Sequence, residues 1–357
     1  MSFPDEELLA SIEARSRSLD SLDAWPEASL AELAGAGCLR DAIPLEFGGS
    51  GRSAREIASW QLELASRCLV TAFVQSQRDA ACHRIALCTS PTLKTNVFRE
   101  IVEGRCFVTV GISHLSTSRQ HGRTPAVEAT FAETGYRLSG SIPWVTAARY
   151  AEEIVVGGTL PDGRQILGLL SQQSTGLRVT PSVALMALSS SQTASVEMHD
   201  VLLPHDRVLA GPVHHVMKHS SGGTGSLTTS TLALGHALGS LRRLKRQCEA
   251  RADLASMFDA FQRDFDRQKE ALLDATEKAV VGSSEMVREA ANSLVLRITQ
   301  AELAVTKGAG FVAGHPAERA VREAMFFLVW SCPQPVVNSA LRTFAKLDDP
   351  EDCRFEI

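Results

Sequence analysis

Apolar residues recur at helical spacing through the first hundred positions. Leu8, Leu9 and Ile12, then Leu30 and Leu33, stand three and four apart, the period of a helix with one buried face. Gly35 and Gly37, either side of Ala36, end the second stretch. The spacing returns from Ser53 to about Glu103, carried by Ile57, Leu62, Leu64, Val70, Phe73 and Val74. Between these helices lies Ile43-Pro44-Leu45-Glu46-Phe47-Gly48-Gly49-Ser50-Gly51, whose proline and three glycines predict a tight, irregular turn.

The period changes after Gly104. Phe107 to Ile112 is a short apolar run rich in β-branched residues. Val127–Phe131 and Tyr136–Leu138 flank Glu133-Thr134-Gly135, and Ile154–Val156 and Ile166–Leu170 flank Pro161-Asp162-Gly163. Both read as hairpins. Val196 to Leu203 reads as the last strand. Short strands at this spacing predict a β sandwich or barrel of about 105 residues. Helical spacing resumes after the joint Ser220–Ser226, near 227–250, 254–281, 284–307 and 316–330. Four long helices with short turns predict a bundle. Phe258, Phe261 and Phe265 fall on one helix face and read as its core. The expected organisation is α+β: a helical domain over 1–103, a β-domain over 104–213 and a helical bundle over 214–357.

At 357 residues the chain is too long for one small core. A net charge of −5 argues against nucleic acid or an anionic membrane as partner. The eight cysteines form no CxxC pair and read as small buried thiols of a reducing compartment. The acidic start Met1–Glu7 lacks a signal-peptide pattern, and no apolar run approaches the roughly 20 residues needed to span a bilayer. A cytoplasmic location is expected. His214, His215 and His219 lack accompanying carboxylates and read as a solvated loop rather than a metal site. Arg242, Arg243, Lys245 and Arg246 read as a solvated helix face.

Three segments, in order and at family-like distances, resemble the acyl-CoA dehydrogenase superfamily. Ile43–Gly51 looks like its Ile-Pro-x-x-Tyr-Gly-Gly-x-Gly loop, Trp144-Val145-Thr146-Ala147 like its Trp-Ile-Thr-Asn strand, and Asp200-Val201-Leu202-Leu203-Pro204 like its Asp-Val-x-Val-Pro. The resemblance implies a helical N-terminal domain, a middle β-domain and a C-terminal four-helix bundle. It also implies FAD as cofactor and sites built across a homo-oligomer or a related partner subunit. Trp144 suits the face of a flavin ring and Thr146 its edge, since an indole covers an aromatic plane and a hydroxyl donates to a rim atom. Strand alternation puts the two on one face. Ser113, with the backbone groups of Val110 and Ile112, is expected at the pyrimidine edge. His114 replaces an acid of the family pattern and reads as structural. Arg119 is open between a substrate phosphate and solvent.

The pattern breaks at the catalytic base. A dehydrogenase of this type removes the proton alpha to a thioester carbonyl, which needs a carboxylate. Gly308–Phe311, Pro316–Arg319 and Arg322-Glu323-Ala324 match the family's preceding motifs, and counting onward reaches Ser331, then Cys332. Cys332 reads as a packing residue. The alternative base position falls near Thr229 and Ser230. Glu323 is an acid away from the aligned base position, expected to cap or pair on a helix surface. The family's Arg-x-x-Phe-Gly run has no counterpart between Cys248 and Phe265, and Ala304 stands where it has glutamine. Three functions follow: a flavin-dependent oxidoreductase on an acyl thioester, a flavin monooxygenase on the same fold, or a non-catalytic subunit completing a partner's site. No catalytic residue is assigned.

Overall fold

The computed structural model describes residues 5–115, 124–217, 225–249, 251–277 and 283–347. Arg119, His219, Cys353 and most of the Ser220–Ser226 joint lie outside them. The chain divides into two compact units, one of residues 1–53 and 70–225, the other of 54–69 and 226–357.

In the first unit, α1 (Glu6–Ser16), α2 (Glu27–Gly35), α4 (Leu69–Leu87) and α5 (Pro91–Val102) accompany a sheet. Local chemistry sets the helix starts. Asp5 accepts from Glu7 N at 3.0 Å. Ser90 accepts from Leu93 N at 3.2 Å, ahead of Pro91 at the first helical position. The strands are β1 (Val108–Gly111), β2 (Val127–Ala132), β3 (Gly135–Val145), β4 (Glu153–Thr159), β5 (Gln165–Ser171), β6 (Leu177–Val179), β7 (Ala194–Pro204) and β8 (Val208–Val213). They form one sheet in the order β6-β7-β3-β2-β4-β5-β8, with β1 parallel to β4. Both expected hairpins form, closing at Ala132↔Gly135 and Thr159↔Gln165.

Two cores use the two faces of the sheet. Ile154 and Val156 of β4 join Leu138 and Ile142 of β3 and Val196, Met198 and Val201 of β7. Val155 points the other way, among Ile85, Val97 and Phe98 of the helices, as the two-residue strand period requires. The halves of a single sheet thus enclose a core of the kind a sandwich would have. Two strands were not legible beforehand: β6 is three residues long, and β8 contains Gly211 and Pro212, which weaken a strand signal. Val196–Leu203 is therefore not the last strand.

The glycine-rich turn is clipped across its base. Arg52 Nη1 donates to both oxygens of Asp41, at 2.9 and 3.1 Å, and Ser50 N donates to Arg40 O at 3.1 Å. Gly48 and Gly51 adopt φ of +88° and +71°, the left-handed region glycine enters without strain.

The second unit holds α3 (Ala54–Arg67), α6 (Gly225–Cys248), α7 (Ala255–Glu277), α8 (Ser283–Thr306), α9 (Pro316–Val329) and α10 (Gln334–Phe344). The four expected bundle helices are present. A fifth long helix, α10, follows them beyond the expected stretches, its start set by Pro333 and Pro335. Pro335 stands in the first turn, where a missing N–H costs nothing. Phe265 is buried in this unit, while Phe258 and Phe261 are half-buried. Arg242 donates to Glu63 and Ser66 of α3 at 2.8 and 2.7 Å, and Arg243 to Glu302 of α8 at 2.9 Å. The expected solvated basic face is thus half wrong: these two arginines cross-link helices, and only Lys245 and Arg246 are exposed. Among the described residues no helix is long and apolar enough to cross a membrane.

Candidate functional site

The segment carrying Trp144 and Thr146 is braced on two sides. Thr109 of β1 donates its hydroxyl to Thr146 O at 2.7 Å. Gly111 lets β1 approach closely, since a Cβ there would stand 2.9 Å from Val145 Cγ2. From the other side, Ala147, at φ +59°, donates its N–H to Ser191 O at 2.9 Å. The loop holding Ser191 is itself tied down. Ser190 Oγ donates to Leu19 O at 2.7 Å, and Gln192 Nε2 donates to Ala24 O at 2.8 Å. Trp25, just beyond, stacks on Tyr150 with ring centroids 4.1 Å apart.

Simple alternation does not hold to the end of β3. The pairing with β7 shifts between Ile142 and Val145, and a shift of this kind re-aims side chains. Trp144 is 41% exposed, whereas Thr146 is 1% exposed. The threonine hydroxyl lies 3.2 Å from Thr193 Oγ1, which lies 2.9 Å from Ser191 Oγ. Trp144 and Thr146 are therefore neighbours with different environments: an outward indole and an inward, hydrogen-bonded hydroxyl. Thr109, Ser191 and Thr193 were not singled out by sequence, because small hydroxyl residues carry no motif of their own.

Val110 and Ile112 bury their side chains in the helix-facing core, which leaves main-chain groups for any ligand contact. Ser113, half-buried, opens a short 3-10 turn to Leu115. His114 is buried and its Nε2 lies 3.1 Å from Gly157 O, a bond within the sheet unit that supports the structural reading. His214 and His215 are exposed.

In the second unit, Ser331 is exposed at φ +45° after α9. Thr229 and Ser230 are buried on α6. Glu323 overturns its expected surface placement: it is 4% exposed. Arg319 Nε donates to its Oε1 at 2.7 Å, and His236 Nδ1 stands 3.5 Å from its Oε2. His236 Nε2 is 2.9 Å from Ala320 O. A carbonyl only accepts, so the ring donates from Nε2 and turns Nδ1 toward Glu323. Burial pushes the His236 imidazole below its ordinary value, against a smaller upward pull from Glu323; Arg243 and Glu302 act on it more weakly.

A depressed histidine favours the neutral form in the folded state. Its contribution is therefore present above the ordinary value of about 6.5 and is lost as pH falls through it toward the folded value. Thermal melts between neutral and mildly acid pH are expected to fall more steeply for the wild type than for His236→Gln. Parallel curves would remove this residue from the acid response.

No protein-family profile matches the chain. Among curated proteins, it is similar to the human mitochondrial short-chain specific acyl-CoA dehydrogenase, at 23% identity over 86% of this chain and 79% of the relative. Among solved structures, butyryl-CoA dehydrogenase from Megasphaera elsdenii superposes with a TM-score of 0.80 at 17% identity, covering 96% of this chain and 100% of that one. Dibenzothiophene monooxygenase from Paenibacillus sp. A11-2 gives 0.80 at 16% identity, covering 95% of each. This chain has the acyl-CoA dehydrogenase fold, in a divergent form with serine where the resemblance places a catalytic carboxylate.

Proposed function

We propose that the protein is a flavin-dependent oxidoreductase, with FAD as cofactor, acting on an acyl thioester. The observation that carries this reading is Trp144, an indole held outward on a segment braced by Thr109 and Ser191. An exposed aromatic face carried on a braced backbone fits a flat tricyclic ligand. The rim fits in kind: the hydroxyl of Ser113, the main-chain groups of Val110 and Ile112, and the inner hydroxyl row behind Thr146. When bound, a flavin supplies a two-electron acceptor. In this reading Trp144 covers one ring face, and the Thr146–Thr193–Ser191 row fixes the backbone that positions the indole. Assembly as a homo-oligomer, or with a related partner subunit, belongs to the same proposal.

A specific observation favours flavin monooxygenation as the second reading. Abstraction of an α proton needs a base, and Ser331, Thr229 and Ser230 offer only hydroxyls. Glu323, the acid closest to those motifs in sequence, is engaged by Arg319. Oxygenation through reduced flavin does not require that carboxylate. The purified chain is expected to show a flavin absorption band, or to acquire one on addition of FAD. No band under either condition would sink both enzyme readings. Anaerobic bleaching by an acyl-CoA supports dehydrogenation. Bleaching only by an external reductant, followed by oxygen consumption and a hydroxylated product, supports the second reading instead.

A further inference from the structure

Three non-glycine residues with left-handed backbone surround the Trp144 segment. Ala147, Leu188 and Gln192 adopt φ of +59°, +63° and +52°. Such conformations are uncommon outside glycine and persist where neighbouring contacts over-determine them. Leu188 and Gln192 bracket the Ser189–Ser191 turn, and the carbonyl of Ser191 is the acceptor for Ala147 N.

The contacts that hold this corner converge from the chain between α1 and α2. Gln192 is 5% exposed, and its amide is used at both ends. Its Nε2 donates to Leu22 O and to Ala24 O, the latter at 2.8 Å, while Oε1 accepts from Ser182 Oγ at 2.7 Å. Ser190 Oγ donates to Leu19 O at 2.7 Å. Trp25 lies parallel to Tyr150, with ring centroids 4.1 Å apart and planes 4° apart, and edge-on to Phe107 at 6.1 Å. Tyr150 N in turn donates to Ala147 O at 2.9 Å. Residues 19–25 therefore form a strap that grips the corner at Ala147 from two sides. Gln192 and Ser190 fasten it to the Ser189–Ser191 turn, and Trp25 fastens it to Tyr150.

We propose that Gln192 is a positioning residue: by fastening this strap it sets the corner at Ala147 and, through it, the aim of Trp144 three positions earlier. The inference rests on the reading of Trp144 as the seat of a flavin. Leu22 and Ala24 are half-buried, so their carbonyls turn to water when the amide is lost, and the strap loosens without the fold collapsing. The coupling is reciprocal. If the fastened strap favours the ligand, the bound ligand must hold the strap.

The test compares the full-length wild type with Gln192→Asn by hydrogen exchange read on peptides, with and without FAD. Asparagine suits a left-handed backbone, but its side chain is one methylene too short to reach both carbonyls. Without FAD, exchange over residues 144–150 is expected to rise by about threefold or more in the variant, while the β4–β5 hairpin stays unchanged. FAD is expected to slow exchange over residues 17–26 of the wild type and to bind the variant about fivefold or more weakly. Flavin bound to the variant should also fluoresce more brightly, because a misaimed indole quenches it less; a change in global stability alone would not do this. Ser190→Ala removes a single strap bond and should move the same readouts in the same direction by less. It decides the matter if Gln192→Asn does not fold. Unchanged exchange over residues 144–150, or undiminished FAD affinity in the folded variants, would overturn the proposal. A wild type that takes up no FAD would sink the flavin reading instead, and the ligand-free exchange would then decide alone whether Gln192 sets the corner.

Discussion

Replacing Trp144 with alanine is expected to weaken flavin binding by about ten- to a hundredfold while leaving the melting temperature close to that of the wild type. The two halves of this expectation have separate causes. Trp144 is 41% exposed, so truncation opens no cavity in the core; its neighbour Val145 is fully buried and does the packing. Loss of an aromatic partner removes about 0.5–1.5 kcal/mol beyond the apolar area it covers. The area itself contributes at about 25 cal/mol per Å². Together these give roughly 1.5–3 kcal/mol, where each 1.4 kcal/mol is tenfold in affinity. Trp144→Phe keeps a planar face and should recover most of the binding. Thr193→Val acts differently: it removes the hydroxyl between Thr146 and Ser191 and should lower stability first. Flavin fluorescence titrations run beside thermal melts separate the two effects. Undiminished affinity in Trp144→Ala would move the cofactor away from this strand.

The same strand marks how far sequence reading reaches. The existence of β3 and its hairpin with β2 follow from alternation and turn chemistry; its pairing with β7 is completed only in the fold. The orientation at its end does not follow from them, because β3 stops at Val145 after a register shift and Thr146 falls in the turn beyond it, where strand alternation no longer applies. Such shifts depend on what the neighbouring strand and the Ser190–Thr193 loop do, which is tertiary information. Glu323 makes a parallel point in the helical unit. Its spacing from Arg319 is that of an exposed ion pair, yet His236 comes from 87 positions earlier to bury it. Arg288 of α8, whose Nη2 donates to Trp330 O at 2.9 Å just past the end of α9, carried no signal at all, since a cation that caps a helix from a neighbouring helix has no local pattern. The helices and hairpins were legible because their causes are local. The hydroxyl row, the buried acid and the capped turn were not, because each is completed by residues far away in the chain.

Gly49→Ala is expected to be among the most damaging single substitutions in the first unit, costing on the order of 3 kcal/mol or more in chemical denaturation. The cause is not backbone freedom, since the left-handed glycines of this turn are Gly48 and Gly51. It is space. A Cβ at Gly49 would stand 1.7 Å from Ile43 O and 2.9 Å from Pro44 O. Both obstacles are backbone, so no side-chain rotation relieves them. The turn would have to open, but Asp41 and Arg52 clamp its base and Gly49 N already donates to Pro44 O at 3.1 Å. Opening it would leave a buried Asp41 carboxylate facing a displaced guanidinium, and an uncompensated buried charge is strongly destabilising. Gly35 supplies the control. It is the last residue of α2, and a Cβ there meets nothing within 4 Å. Gly35→Ala should be neutral or stabilising by up to ~1 kcal/mol, because alanine loses less conformational freedom in a helix. If both variants unfolded at the same denaturant concentration, the close approach at Gly49 could not be what holds the turn in its shape.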